Sequence, residues 1–137
     1  MIKFTLPVRP TTKKNSQQVV MRGKYPILLP SKQYLAFEKS VLPYLHKVKE
    51  EAGVIDYPVN VQAVFYTETR RNVDLSNLLN AIDDAMVKSG LIVDDNRDIV
   101  AGHDNSRVFH DKNNPRIEVL ITTMKEYERW KSGHSDV

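Results

Sequence analysis

The chain has 137 residues, of which 41% are hydrophobic and 27% are charged, and it contains no cysteine. This length and composition predict one globular domain over residues 1–137, and they exclude a disulfide framework or a zinc site built on thiolates. No apolar run is long enough to span a membrane, and Pro7, Arg9 and Pro10 interrupt the N-terminal segment before a signal peptide can form. We therefore expect a cytoplasmic protein with no membrane partner.

The net charge of +3 is distributed unevenly along the chain. The first 37 residues contain seven Lys or Arg and no Asp or Glu, so the remaining residues carry a net charge of −4. A basic arm beside an acidic centre is what a metal-dependent nuclease requires, since cations hold phosphates and carboxylates hold the metal. For the arm taken alone, a solvated surface without a ligand is an equally good interpretation.

Residues 1–30 predict a strand followed by a basic arm and hairpin. Ile2 to Val8 alternates apolar and polar residues, and a polar loop follows from Thr11 to Gln18. Two short strands, Val19 to Met21 and Tyr25 to Leu29, flank a glycine-centred turn. Four cations of the loop and turn are candidate DNA contacts, although a solvated turn is the alternative: Lys13, Lys14, Arg22 and Lys24.

The next segment predicts the first long helix and a strand. Ser31 is the expected N-cap and Gly53 the expected stop, with Pro43 expected to kink the helix between them. A strand with one buried face follows, from Val59 to about Thr69. The buried face of the helix is predicted to comprise Leu35, Val41, Leu42, Leu45 and Val48.

The central segment has the strongest pattern in the chain. Apolar residues spaced by three and four predict an amphipathic helix from Leu75 to Ser89. The carboxylate of Asp74 is positioned to accept amide protons of the first turn, and Gly90 is positioned to end the helix in a left-handed conformation. A short apolar run then leads to two adjacent carboxylates, Asp94 and Asp95. The apolar stripe comprises Leu75, Leu78, Leu79, Ile82, Ala85 and Met86.

The rest of the chain predicts further strands and a charged tail. Residues 99–109 predict a weak, interrupted strand, and Pro115 to Thr123 predict a strand with alternate residues buried. The tail, residues 125–137, predicts at most a short helix. His103 and His110 have no second histidine pair and do not form a recognisable metal motif. The order of elements predicts an α+β domain, a mixed sheet with two main helices packed on one face.

The residues around the central helix resemble the RusA family of Holliday-junction resolvases, small metal-dependent endonucleases common in prophages. The shared features are Asp-x-Ser-Asn-Leu from Asp74, a helix ending in Asp-Ala-Met, Gly90, a short apolar run and the pair Asp94-Asp95. The resemblance is strongest from Arg71 to Asp98 and extends loosely to the first and last strands. It implies a RusA-like fold, a homodimer, and paired nicking of four-way DNA junctions in recombination and repair.

The resemblance also implies a metal site. It maps the ligands to Asp74, Asp94 and Asp95, with Asp95 the main catalytic ligand. Mg²⁺ is the expected metal, with Mn²⁺ as a possible substitute. Two or three carboxylates suffice because Mg²⁺ takes oxygen ligands and keeps several of its waters. Arg70 and Arg71, just before the motif, are further expected DNA contacts.

Two positions depart from the family pattern. Ser76 stands where well-known members have a second aspartate, and Asn80 stands where they have a lysine. Ser76 can bind Mg²⁺ only weakly or through a water, and Asn80 cannot neutralise a leaving group. The alternatives are therefore a DNA-binding protein with weakened chemistry on the same fold, or a module with no nucleic-acid role. The carboxylates that are candidates to replace the missing one are Glu68, Asp83, Asp84 and Asp98.

The lengths of these segments predict that two chains share each metal site. A helix of about 15 residues is roughly 22 Å long, and the six residues leading to Asp95 span at most about 20 Å. The apolar run at residues 91–93 needs a buried surface and is not expected to run straight back along the helix. Two antiparallel helices related by a two-fold axis would bring Asp74 of one chain beside Asp95 of the other. The alternative is a shorter helix whose end folds back, so that one chain completes its own site.

Overall fold

Helices and strands follow one another along the chain in the order that the sequence predicts. The computed structural model describes residues 1–13 and 18–133. Its elements are β1 (Ile2–Leu6), β2 (Gln18–Arg22), β3 (Tyr25–Leu29), α1 (Lys32–Ala52), β4 (Val59–Thr67), α2 (Leu75–Ser89), β5 (Val100–Gly102), β6 (Arg107–His110), β7 (Arg116–Thr123) and α3 (Met124–Gly133).

A mixed five-stranded sheet forms the centre of the fold. Strand β7 pairs antiparallel with β1 on one side and with β4 on the other. Strands β5 and β6 both pair parallel with β4, because α2 first returns the chain along the sheet. The weak strand predicted over residues 99–109 is therefore two short strands, separated by a turn in which Asn105 has a φ of 67°.

The hydrophobic core lies between the sheet and the helices α1 and α2. Alternate residues of β4 are buried as predicted, and β7 contributes a second alternating set. This arrangement confirms the predicted α+β fold with a mixed sheet. The buried residues of the two strands are Val59, Val61, Ala63, Phe65, Ile117, Val119 and Ile121.

Helix α1 has the predicted ends, but only part of its predicted buried face is buried. Ser31 is the N-cap, and its hydroxyl accepts a hydrogen bond from the Tyr34 amide at 3.1 Å. The buried stripe is Tyr34, Phe37, Val41 and Leu45, whereas Leu35 is 43% exposed. The prediction for Leu35 was wrong because the two aromatic residues, and not the first leucine, lead the three-and-four spacing.

The hairpin of β2 and β3 forms a separate two-stranded sheet. Its turn contains Gly23 with a φ of 61°, a left-handed conformation that glycine adopts without strain. The predicted basic hairpin is therefore present. Among the described residues, no helix combines the length and the apolar character needed to cross a membrane.

Candidate functional site

Helix α2 begins and ends where the sequence predicts, but the side chain of Asp74 does not cap it. The Asp74 carbonyl accepts the amides of Asn77 and Leu78 at 3.1 and 3.2 Å, and the carboxylate makes no capping bond. Its Oδ2 instead accepts a hydrogen bond from Asn77 Nδ2 at 3.3 Å. The predicted side-chain cap is wrong because the main-chain carbonyl closes the first turn. The exposed carboxylate is consequently not occupied by the helix amides.

The turn after α2 gives the adjacent carboxylates different roles. Asp94 holds the turn, since its Oδ1 accepts the Asp95 amide at 2.7 Å and its Oδ2 accepts Asn96 Nδ2 at 3.1 Å. The Asn96 side chain in turn accepts the Asp98 amide at 2.9 Å. The carboxylate of Asp95 is exposed and accepts no hydrogen bond from the described residues. Asp95 therefore has the freer carboxylate of the two.

Asp74 and Asp95 lie near different parts of α2. Asp74 precedes the first residue of the helix. The segment that leads to Asp95 contacts α2 near the C-terminal end of the helix, because the amide of Ile92 lies 3.4 Å from the Met86 carbonyl. Burial and, to a smaller extent, the charge of Asp95 raise the pKa of Asp83, which is in the third turn of α2. Within residues 1–13 and 18–133, no three His, Cys, Asp or Glu side chains are grouped to hold a metal ion.

A pair formed by a buried aspartate and a partly exposed histidine lies between α2 and the loop after β5. His103 Nε2 is 2.7 Å from Asp83 Oδ2, and Asp83 is 4% exposed. Burial raises the pKa of Asp83, with smaller contributions in the same direction from the charges of Asp95 and Asp84, while the bond to His103 opposes the shift. The same bond raises the pKa of His103. The pair joins the loop to α2 within electrostatic range of Asp95.

The sequence contained a sign of this pair. Asp83 lies four residues after Leu79 and three before Met86, so it falls within the buried side of α2. A buried carboxylate needs a partner, and a histidine is a suitable one. The other carboxylate oxygen of Asp83, Oδ1, is also buried and has no hydrogen-bond partner within the described part of the chain.

Most candidates for the replacement carboxylate already have a basic partner. Asp83 pairs with His103, and Glu68 forms an ion pair with Arg9. Asp84 Oδ2 lies 3.1 Å from Lys13 Nζ. Asp98 is exposed in the turn that also holds Asp95, and Ser76 is exposed in the first turn of α2.

The predicted DNA contacts fall into two groups. Lys13 is attached to α2 through Asp84, and its Nζ also lies 5.4 Å from the centroid of the Tyr34 ring. Burial, together with the charges of Glu38 and Asp84, raises the pKa of Tyr34, so this phenol stays neutral. Lys14 lies outside the described residues. The other four are exposed and form no ion pair with any described residue: Arg22, Lys24, Arg70 and Arg71.

We expect the Asp83–His103 pair to make stability depend on pH. The bond raises the pKa of His103 in the folded state, so its stabilising effect is complete below the unfolded value of about 6.5 and is lost as pH rises through the folded value. Replacing the imidazole by His103→Gln should reduce the free energy of unfolding by about 1–3 kcal/mol near pH 6. The difference from wild type should shrink by pH 9, as thermal unfolding at several pH values will measure.

The control for this prediction is His46→Gln, because His46 is exposed on α1. That variant should follow the wild-type curve at every pH. A constant difference between wild type and His103→Gln from pH 6 to pH 9 would contradict the assignment of a charged pair.

Comparison with known proteins identifies a family relationship. The family model described as Endodeoxyribonuclease RusA matches residues 7–122. This range contains every predicted metal ligand and DNA contact, together with both main helices. A search of the curated proteins found no match.

Proposed function

The chain belongs to the RusA endodeoxyribonuclease family, a nuclease family that acts on Holliday junctions, and on this basis we propose that it resolves four-way DNA junctions by paired, Mg²⁺-dependent nicks. The observation that carries the proposal is the free, exposed carboxylate of Asp95 on a turn beside α2 in a chain of this family. A junction-binding protein with weakened chemistry is the second candidate, because Ser76 and Asn80 depart from the family pattern. The proposed location is the cytoplasm.

Incubation of the purified protein with a synthetic four-way junction and Mg²⁺ separates the candidates. Paired nicks at symmetric positions support a resolvase. A shifted band without product supports the weakened binding protein. If a properly folded sample gives neither nicks nor a shifted band, both candidate functions are contradicted.

We propose that Asp74, Asp94 and Asp95 hold the metal. Resolvases of this family generally depend on a divalent metal, and exposed carboxylates match the oxygen ligands that Mg²⁺ prefers, with Mn²⁺ as a substitute. When bound, the ion supplies an activated water and stabilises the charge that develops on the phosphate. Asp95 is the main ligand, since the oxygens of Asp94 also hold the turn. The exposed hydroxyl of Ser76 adds a weak, neutral ligand.

The proposed active form is a homodimer in which each site takes residues from both chains. Support comes from where the two residues attach to α2: Asp74 directly precedes its first residue, whereas the segment leading to Asp95 contacts the helix near its other end, through Ile92 and Met86. With the two α2 helices antiparallel about a two-fold axis, Asp74 would lie beside Asp95 of the partner subunit. Such a dimer has two equivalent sites, as symmetric nicking of a junction requires.

The proposed DNA contacts surround this centre. Arg70 and Arg71 are exposed just before Asp74 and are suited to holding the phosphates next to the reacting bond. Lys13 is suited to a phosphate that approaches α2 near Asp84, whose charge it also screens. In this proposal the cations hold the DNA backbone and the carboxylates hold the metal.

We expect junction binding to weaken, and to become less sensitive to salt, when these cations are removed. Each phosphate contact that is lost should lower the slope of log affinity against log salt by about one. The double variants Lys13→Ala with Lys14→Ala and Arg70→Ala with Arg71→Ala should each lower the slope by up to about two. Titrations of a labelled junction at several salt concentrations measure both quantities.

The matched control for charge is Lys39→Ala with Lys47→Ala, because both lysines are exposed on α1. It should retain the wild-type slope. If a test variant keeps both the wild-type affinity and the wild-type slope, the residues it replaces are ordinary surface.

We expect restoration of the family pattern to raise activity or leave it intact. The double variant Ser76→Asp with Asn80→Lys adds a carboxylate beside the metal ligands and a cation for the leaving group. Both positions are exposed, so the new charges require no burial. Single-turnover cleavage should accelerate by roughly tenfold if both groups function. The control Ser76→Asn adds bulk without charge, and slower cleavage by the charged variant alone would count against the proposed site.

A further inference from the structure

The β2–β3 hairpin has an apolar face that is open to solvent. Val19 pairs with Leu28 across the hairpin, and Met21 pairs with Pro26, so all four side chains lie on one face. Val19 is 70% exposed, Met21 60% and Leu28 59%. We call these four residues the hairpin face. Isolated apolar residues are common on surfaces, but a continuous set on a projecting element indicates a binding surface.

The end of the hairpin is cationic. Arg22 and Lys24 flank Gly23, and neither cation forms an ion pair with a described residue. Tyr25, paired with Arg22 across the turn, is 75% exposed. The first 37 residues contain no acid that would compensate these charges locally. The hairpin therefore suits a polyanion that also offers an apolar surface.

Nucleic acid offers negative charge together with an apolar surface wherever its base stack is interrupted. Proteins that distort DNA insert Met, Leu and Pro side chains between base steps, with basic residues on the neighbouring phosphates. An intact duplex must first be unstacked, whereas the base pairs at the branch point of an open four-way junction already lack a stacking neighbour. A second copy of this chain on the hairpin face is less suitable, because it would bring another basic arm without neutralising the first.

We propose that the hairpin enters the branch point of the junction. The hairpin face would cover the exposed base pairs, and Arg22 and Lys24 would hold the phosphates of the exchanging strands. This inference rests on the proposed function and adds to it a way to distinguish branched from continuous DNA.

The test places 2-aminopurine at the branch point of one junction and within an arm of another, and it is made in EDTA so that no strand is cut. Binding of the wild-type protein should change the fluorescence at the branch point and leave the arm unchanged, because only the former base gains apolar neighbours from the hairpin face. The double variant Val19→Ser with Leu28→Ser should lose this signal and bind the junction about tenfold more weakly. Its affinity for a plain duplex should not change.

The matched control is Leu35→Ser with Val54→Ser, which removes the same residue types from positions that are 43% and 45% exposed outside the hairpin. It should behave as wild type. An unchanged branch-point signal on binding of the wild-type protein would overturn the proposal even if the hairpin variant failed to fold.

Two binding measurements separate the role of the hairpin from the proposed function. Equal wild-type affinity for junction and duplex would contradict the proposed function itself, whereas selective binding that the hairpin variant retains would contradict only the role of the hairpin. Sedimentation without DNA tests the second-copy alternative. If the hairpin variant alone becomes monomeric, the hairpin face is a contact between chains and the proposal is overturned.

Discussion

Asp95→Asn is expected to lower the rate of junction cleavage by about a thousandfold or more while the affinity for the junction stays unchanged. The substitution replaces the carboxylate that accepts no hydrogen bond within the described residues, so it removes a metal ligand without breaking a contact that holds the fold. It also removes no cation, and the phosphate contacts of the protein are therefore retained. Single-turnover cleavage with Mg²⁺ and binding titrations without it measure the two quantities separately.

Asp74→Asn should have the same effect as Asp95→Asn, because its carboxylate is likewise exposed and makes no capping bond. Asp56→Asn is the matched control, since it makes the same change at an exposed position before β4 and should cleave as wild type does. A fully active Asp95→Asn protein would rule out the assigned metal site. A loss of binding in parallel with cleavage would show instead that Asp95 maintains the structure of the DNA-binding surface.

Mixing Asp74→Asn protein with Asp95→Asn protein is expected to restore cleavage that neither protein has alone. In a shared site, a mixed dimer combines the wild-type Asp74 of one chain with the wild-type Asp95 of the other at one of its two sites. Random exchange makes about half of the dimers mixed, so roughly a quarter of the sites should be intact. The product should be a single nick in each junction and not a pair, which a denaturing gel of differently labelled strands distinguishes.

The control mixes Asp95→Asn protein with protein carrying both substitutions, a combination in which no shared site is complete. Differently tagged chains recovered together confirm that subunits have exchanged. If subunit exchange is verified and no cleavage returns, each chain completes its own metal site, and the proposal of a site shared between chains is wrong. A protein that sediments only as a monomer would exclude the dimer as well.

Short-range pattern in the sequence predicted most elements of this fold. The three-and-four spacing from Leu75, with Gly90 after it, fixed the ends of α2, because helix periodicity and a left-handed stop are properties of neighbouring residues. Alternation predicted the buried residues of β4, and a glycine between two apolar runs predicted the hairpin. The order of residues around α2 was also enough to indicate the family that the comparison later showed.

The errors lie where a residue had more than one possible partner. Leu35 fits a helical stripe as well as Tyr34 does, and only the packing of α1 against the core decides which of them is buried. Asp74 is placed to cap α2 by its position, yet the side chain bonds to Asn77 and leaves the first turn to its own carbonyl. A local sequence pattern therefore indicates which residues could make an interaction, but it does not decide which of them does.

The sequence by itself determined most of the elements and the family, and it supplied the acidic residues that we propose as metal ligands, because each is encoded within a few neighbouring residues or in their fixed order. Only the tertiary structure decided which charges meet. Lys13 and Asp84 are 71 positions apart, and Asp83 and His103 are 20 apart. They come together because α2 returns along the sheet and presents Asp83 to the loop after β5. Contacts of that kind depend on the burial of apolar surfaces elsewhere, which brings distant segments together whatever their charges.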